Sequence, residues 1–478
     1  MGRNKMLNRY LLLIMFALLT NAASAGPLAE IYKQAQVNDA DFAAAQAALR
    51  AGQEAYPQAR AAALPTLEAT ASYTRIEREV EQTPFSNQPG SGTGQSGDIC
   101  DETLTGPPAA PFEDCFDSER YGVELRQPLF DWGIPATLRQ GKDRVYIAEL
   151  TFAAEKKLLL ARTMQRYIAF LDAAERISFA RAELKALNED LERAQARYEV
   201  GETGVTGLRE SQAASDLAAA RVIDSTTALD EAREELKQLT DRWYQRLPTI
   251  VDKLPLTRPD PSSPEDWVEI GLTYNATYLS AVREVDIAED EISRKRAGYI
   301  PKVDLVAAYG ESDDTEFAFG GASNDKSIGL EATWRLFSGG RTLSEIRETR
   351  ALYDRSKSVL LSTQRRVSSD TRTNYRRVVQ SISRVEAFKR AIVSARAALK
   401  ATTSGFEVGE RTQADVLDAR RDVFRALTDH ASARYTYLQN VVQLKLVAGV
   451  LSEEDLLRTD TFLEGKLIPA RVVSPAQE

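Results

Sequence analysis

The 478 residues are 43% hydrophobic and 27% charged, enough apolar material for a folded protein of two or three ordinary domains and too much for a disordered tail. A net charge of −9 argues against nucleic acid, because a phosphate-binding surface needs an excess of lysine and arginine. With one histidine in the chain, a histidine-based catalytic or metal site has little to be built from.

The chain begins MGRNKMLNRY, continues through LLLIMFALLT and reaches NAASA before Gly26. A basic start, an apolar run of about ten residues and small residues at its end describe a secretory signal peptide over 1–25, cut after Ala25. The run is too short for a membrane-spanning helix, which needs about 20 residues. No cysteine follows the cut to carry a lipid anchor, and no later segment is long and apolar. Any membrane crossing by the mature chain therefore has to use β-strands.

Residues 26–247 form a first structural repeat. In it Leu67, Ala69, Ala71 and Tyr73 alternate with Glu68, Thr70, Ser72 and Thr74, and Tyr121, Val123 and Leu125 alternate with Glu124 and Arg126. This period of two predicts a pair of strands joined by a long loop over 76–120. The loop is rich in Gly, Pro and Asp and carries Cys100 and Cys115, the only cysteines. In an oxidising compartment they are a disulfide candidate, worth about 3 kcal/mol if unstrained, with free thiols as the alternative.

No proline occurs from 136 to 247 or from 302 to 468, and both stretches are rich in Ala, Leu, Arg and Glu. These are helical territories. In the first, Phe170, Ile177, Leu184, Leu191 and Tyr198 recur every seven positions; in the second, Val378, Val385, Ile392, Leu399 and Phe406 do so, each displaced by 208. The result is an internal duplication in register, with heptads that specify coiled-coil packing. Each long helix is expected from just after Gly133 or Gly340 to Val200 or Val408, which is on the order of 100 Å. Gly201 and Gly409 then stop the helices, and a shorter helix returns in each half. In the later one Val416, Val423, His430, Tyr437 and Leu444 keep the seven-residue step, so His430 reads as a packed seam residue.

Between the repeats LPTIVDKLPLTRPDPSSPEDW carries five prolines, giving a linker over 248–262 and a helix start near Ser263. The second repeat, 263–450, holds the counterparts of the earlier strands: Val303, Leu305, Ala307 and Tyr309 against Lys302 and Asp304, then Ile328, Leu330, Ala332, Trp334 and Leu336 against Glu331 and Arg335. Residues 451–478 remain as a C-terminal segment and tail. Strands with one apolar and one charged face, beside helices too long for a globule, suit an outer-membrane β-barrel. Four strands cannot enclose a pore, and open edges are not tolerated in lipid, so the chain must oligomerise. The fold class is thus a mixed α and β membrane protein with long antiparallel coiled-coil helices and four strands per chain.

The order of these elements resembles the TolC family of outer-membrane efflux and secretion channels over essentially all of the mature chain. The most specific local match is VGERTQADVLDA, residues 408–419, which looks like the family's periplasmic tip. The resemblance implies a homotrimer with a 12-stranded barrel and a helical tunnel through the periplasm, no cofactor and no enzymatic activity. It also implies a periplasmic adaptor and an inner-membrane transporter of ABC, RND or MFS type as partners, docking at tips around Val200, Gly201, Val408 and Gly409. In the family the closed tip is latched by an aromatic hydroxyl and an arginine bonding to a threonine and an aspartate. Here Arg411 and Thr206 match, but Phe406 replaces the hydroxyl and Gly207 the aspartate, which points to Arg411 bonding Thr206, Glu202 or Glu210. Asp415 and Asp418 fall on one face of the returning helix and would form an acidic constriction; with Thr412, Asp415 also fits a helix-capping pattern.

The rival reading is an exported coiled-coil scaffold or adhesin without a pore, which leaves the four patterned strands unexplained. A single-chain diffusion porin should show many strands and little helix. An enzyme finds no support: GETGVTG stands at a helix end rather than between a strand and a helix, so it is not a dinucleotide fingerprint.

Overall fold

The computed structural model describes residues 26–80, 112–244, 246–248, 254–314, 321–463 and 467–469. In chain order the first half contributes α1 (Pro27–Asn38), α2 (Ala40–Gln53), α3 (Ala55–Ala61), β1 (Thr66–Val80), β2 (Phe112–Phe130), α4 (Ile134–Glu199), α5 (Val205–Thr240) and β3 (Arg246–Pro248). The second contributes α6 (Pro264–Tyr274), α7 (Ala276–Arg296), β4 (Lys302–Asp314), β5 (Gly321–Thr333), α8 (Arg341–Glu407), α9 (Gln413–Val447), α10 (Glu453–Asp460) and β6 (Leu467–Pro469). The described residues within 53–145 and 284–356 form one compact unit, and those within 1–52, 146–283 and 357–478 the other. Each unit draws on both halves of the duplication.

The first unit contains one antiparallel sheet in the order β1-β2-β4-β5. Its register lines up the alternating patterns: Leu67 stands opposite Leu125, Leu125 opposite Ala307, and Ala307 opposite Ile328. The polar positions share the other face. There Arg126 reaches Glu331 at 3.1 Å, Glu124 at 3.2 Å and Asp304 at 3.4 Å. Within one chain the apolar row is uncovered, with Leu67 at 70% and Ile328 at 77% of full exposure. Among the described residues, β1 and β5 each pair on one side only.

Two expectations about this unit need correcting. The loop is shorter than 76–120, because β1 and β2 pair as far out as Val80 with Phe112. Cys115 therefore lies in β2, in register with Glu77, whereas Cys100 lies outside the described residues. Trp334 and Leu336 are not strand residues, because β5 ends at Thr333, opposite the first residue of β4, Lys302. Among the described residues the ladder ends at that pair, and Pro301 has no N–H with which to extend it. The Trp334 indole instead donates to the Tyr299 carbonyl at 3.1 Å.

The second unit is helical, and α4 and α8, 66 and 67 residues long, run into it. Among the described residues no helix is long and apolar enough to cross a membrane. The heptad positions divide by depth: Phe170, Ile177, Val378 and Val385 are buried, whereas Leu191, Ile392 and Leu399 are only half-buried and Tyr198 is exposed. The core gathers Leu28 and Ile31 of α1, Met164 and Phe170 of α4, Leu236 of α5, Trp267 of α6 and Leu444 of α9. Ser263 caps α6 by accepting the Glu265 N–H. Burial and the nearby cations Arg434 and Lys389 hold the His430 imidazole below its ordinary pKa, in keeping with a seam position. The short strands β3 and β6 pair antiparallel.

A joint in this unit ties α4 and α9 to the turn between α6 and α7. Asn275, between α6 and α7, donates to the Val447 carbonyl at 2.8 Å and accepts from the Tyr278 N–H at 3.0 Å. The Lys157 ammonium of α4 reaches the Gly449 carbonyl at 2.6 Å. Gly449 closes α9 with φ +72, and its Cα packs against the Tyr274–Asn275 backbone.

Candidate functional site

The ends of α4 and α8 are built alike. Gly201 and Gly409 have φ of +78 and +81. In the first stop the Gly201 N–H donates to Tyr198 O at 3.1 Å and Glu202 N–H to Arg197 O at 2.8 Å; in the second, Gly409 N–H donates to Phe406 O at 3.1 Å and Glu410 N–H to Gly405 O at 2.8 Å. Both are Schellman closures, which satisfy the last carbonyls of a helix through a left-handed residue. The residues before the glycines, Val200 and Val408, are each 72% exposed. An apolar side chain held out by a rigid turn is available for contact.

The helices that return from the two stops differ at their first turn. α9 opens with a capping box: Thr412 Oγ1 accepts from Asp415 N at 3.2 Å, and Thr412 N donates to Asp415 Oδ2 at 2.9 Å. The Thr412 hydroxyl also donates to Asp415 Oδ2 at 2.9 Å. The Thr412 backbone N–H, then its hydroxyl, then the Arg411 charge hold the Asp415 carboxyl below the ordinary carboxylate range. α5 opens after Gly204 with no side-chain cap. Gly207, at the position equivalent to Asp415, lies where a Cβ would stand 3.7 Å from Gln413 Cβ. Beside it Gln413 donates to Ser211 Oγ at 3.3 Å, so the two returning helices meet at their starts.

Asp418 is not a free carboxylate. Arg421, three residues on, sits 2.6 Å from its Oδ1 on the exposed face. Phe406 has a stacking partner, since the Arg197 guanidinium lies 5.1 Å from its ring centroid. That contact joins the last turns of α4 and α8. Arg411 is exposed, and its backbone N–H donates to Gly405 O at 3.2 Å. Among the described residues of the single chain, its guanidinium makes no bond to Thr206, Glu202 or Glu210; Thr206 is exposed and Glu210 half-buried.

Behind the tip two buried carboxylates tie the helices together, and neither was singled out from the sequence. Arg420 of α9 places Nε 2.7 Å from Asp190 Oδ2 on α4, and Arg193 pairs with the same carboxylate. Arg221 of α5 pairs with Glu183 of α4 at 2.9 Å. Burial pushes the Glu183 carboxyl above its ordinary range, opposed by Arg221, Arg421 and Arg425. The separation of Asp190 from Arg420, 230 positions, gave no local signal. Asp418 and Arg421, three apart, lie at a spacing that a helix brings together, although the pair was not read from the sequence. Leu187 of α4, Ala218 of α5 and Leu417 of α9 form a small buried apolar cluster. Among the described residues no cluster of His, Cys, Asp and Glu could hold a metal ion.

The chain is 29% identical over 450 residues to the outer membrane protein TolC of Vibrio cholerae, covering 93% of this chain and 96% of that one. It is 29% identical over 464 residues to the alkaline protease secretion protein AprF of Pseudomonas aeruginosa, covering 95% and 91%. The crystal structure of the outer membrane protein VceC from Vibrio cholerae shares the fold with a TM-score of 0.68 at 17% identity, over 88% of this chain and 96% of that one. The outer membrane efflux protein family matches residues 31–242 and 272–450, both halves of the duplication. With repeat, sheet and paired helix stops all inside that match, the chain belongs to the outer membrane efflux protein family.

Proposed function

We propose that three copies of this chain assemble into an exit duct of an efflux pump or type I secretion system, with the sheet in the outer membrane and the helices in the periplasm. The observation that carries this reading is the four-stranded sheet with two unpaired edges, β1 and β5, and an uncovered apolar row. Pairing β5 of one copy with β1 of the next removes every edge, and three copies of four strands give a barrel of about 12. The apolar row then meets lipid and the Arg126 network faces the lumen. An adaptor fits the tips at Val200, Gly201, Val408 and Gly409, and an inner-membrane transporter of ABC, RND or MFS type supplies the energy. The function needs no cofactor, catalytic residue or nucleic acid.

At the periplasmic end Asp415 and Asp418 of each copy form an acidic constriction. Arg421 neutralises part of Asp418, which leaves Asp415 as the larger source of the field. Arg411 is the gate latch, reaching Thr206, Glu202 or Glu210 of a neighbouring copy, while Phe406 is held by Arg197. Single-channel conductance in a planar bilayer tests this. Expected is a small cation-selective conductance blocked by a trivalent cation, loss of block in Asp415→Ala/Asp418→Ala, and a larger resting conductance in Arg411→Ala. Inserted oligomers that conduct in none of these forms would instead mark a scaffold.

The cap makes a pH prediction. A carboxyl with a depressed pKa keeps its charge as pH falls, until the pH passes through that lowered value. Thr412→Ala removes the hydroxyl bonds and moves Asp415 toward the unperturbed value of about 3.9. Trivalent-cation block should therefore disappear at a higher pH in Thr412→Ala than in the parent, measured as block against pH from 6 downward.

A further inference from the structure

The first turn of α1 has no side chain of its own to cap it. Gly26 occupies the N-cap position and Pro27 follows without an N–H. The next two N–H groups, of Leu28 and Ala29, donate to Oδ1 and Oδ2 of Asp460 at 2.9 and 3.0 Å, from 432 and 431 positions away. Asp460 is the last residue of α10, where the helix dipole disfavours a negative charge. Burial raises its pKa above the ordinary carboxylate range, opposed by the two N–H bonds. Among the described residues no lysine or arginine pairs with it. The other titratable group that senses it is Tyr167 of α4, whose hydroxyl burial holds far above its ordinary range.

Gly26 itself lies against this carboxylate. A Cβ there would overlap Asp460 Cγ and Oδ2 and stand 2.7 Å from Oδ1. Standard backbone dimensions then put the Gly26 nitrogen within about 5 Å of the carboxylate. In the uncut chain that nitrogen is a neutral amide. Hydrolysis of the Ala25–Gly26 bond adds one water, leaving a carboxylate on Ala25 and an ammonium on Gly26.

We propose that removal of the signal peptide after Ala25 creates the cation that Asp460 lacks, so that the α-ammonium of Gly26 pairs with Asp460 and completes the junction of α1 with α10. Maturation and folding are then ordered: the junction closes fully only on a chain that starts at Gly26. The absence of a Cβ at residue 26 is what lets the new terminus reach the carboxylate. This proposal rests on the cleavage site read from the sequence and not on the channel reading.

The test compares two purified full-length mature proteins, one starting at Gly26 and one carrying a single extra alanine in front of it. Both are labelled at pH 7 with an acetyl N-hydroxysuccinimide ester, and the N-terminal peptide is quantified by mass spectrometry. An α-amine whose pKa the pair raises by one unit holds tenfold less free base, so labelling of the Gly26 start should be about tenfold slower. Asp460→Asn should bring the two rates together. Equal rates for the two starts with Asp460 in place, or a natural mature chain that begins elsewhere, would overturn the proposal. The comparison of starts needs no substitution, so it stands even if Asp460→Asn does not fold.

Discussion

Gly449→Ala should cost about 3 kcal/mol or more and sharply reduce the folded protein recovered from outer membranes, while Gly409→Ala should cost only about 1–2 kcal/mol. Both glycines close a helix with positive φ, +72 and +81, so both substitutions meet the same left-handed penalty. Their surroundings differ. Among the described residues nothing lies within 4 Å of a Cβ at Gly409, whereas at Gly449 it would overlap the Tyr274 carbonyl oxygen, 2.7 Å from Tyr274 C and 3.0 Å from Asn275 Cα. Those are backbone atoms, held by Asn275 bonding to Val447, and cannot swing aside as a side chain would. Thermal unfolding of the purified proteins measures the difference. Equal midpoints for the two variants would show that the joint around Asn275 yields.

Asp190→Ala should be the most damaging single change near the tip, at about 3 kcal/mol, the lower end of the range for breaking a buried ion pair. The Asp190 side chain is 6% exposed and that of Arg420 21%, so removing the carboxylate leaves a mostly buried guanidinium without its partner. The lower figure follows because Arg193 is 56% exposed and can turn to water. Removing both partners, Asp190→Leu/Arg420→Leu, should recover part of the loss, since no orphaned charge remains. Urea unfolding of the single and double variants checks this. Strictly additive losses would mean that the pair is not the source of the effect.

The duplication, the long helices and the glycine stops were all legible in the sequence, because each depends on a short-range period or on one residue's backbone freedom. Heptads placed the buried seam at Phe170 and Val378, and Gly201 and Gly409 marked the turns. Alternation found the four strands but not their ends. Where a strand stops depends on whether a partner backbone continues beside it, as Thr333 and Lys302 show.

Within the candidate site the same boundary holds. Thr412 with Asp415 was readable, because a helix brings residues three apart onto one face; Asp418 with Arg421 repeats that spacing. The stacking of Arg197 on Phe406, the pairing of Asp190 with Arg420 and the capping of α1 by Asp460 were not readable. By itself the sequence determined the local geometry: which residues are helix, which face is apolar and where each helix turns. Only the tertiary structure decided which charges meet across helices, because that depends on how far one packed helix is slid and rotated against another, to within a side chain's reach.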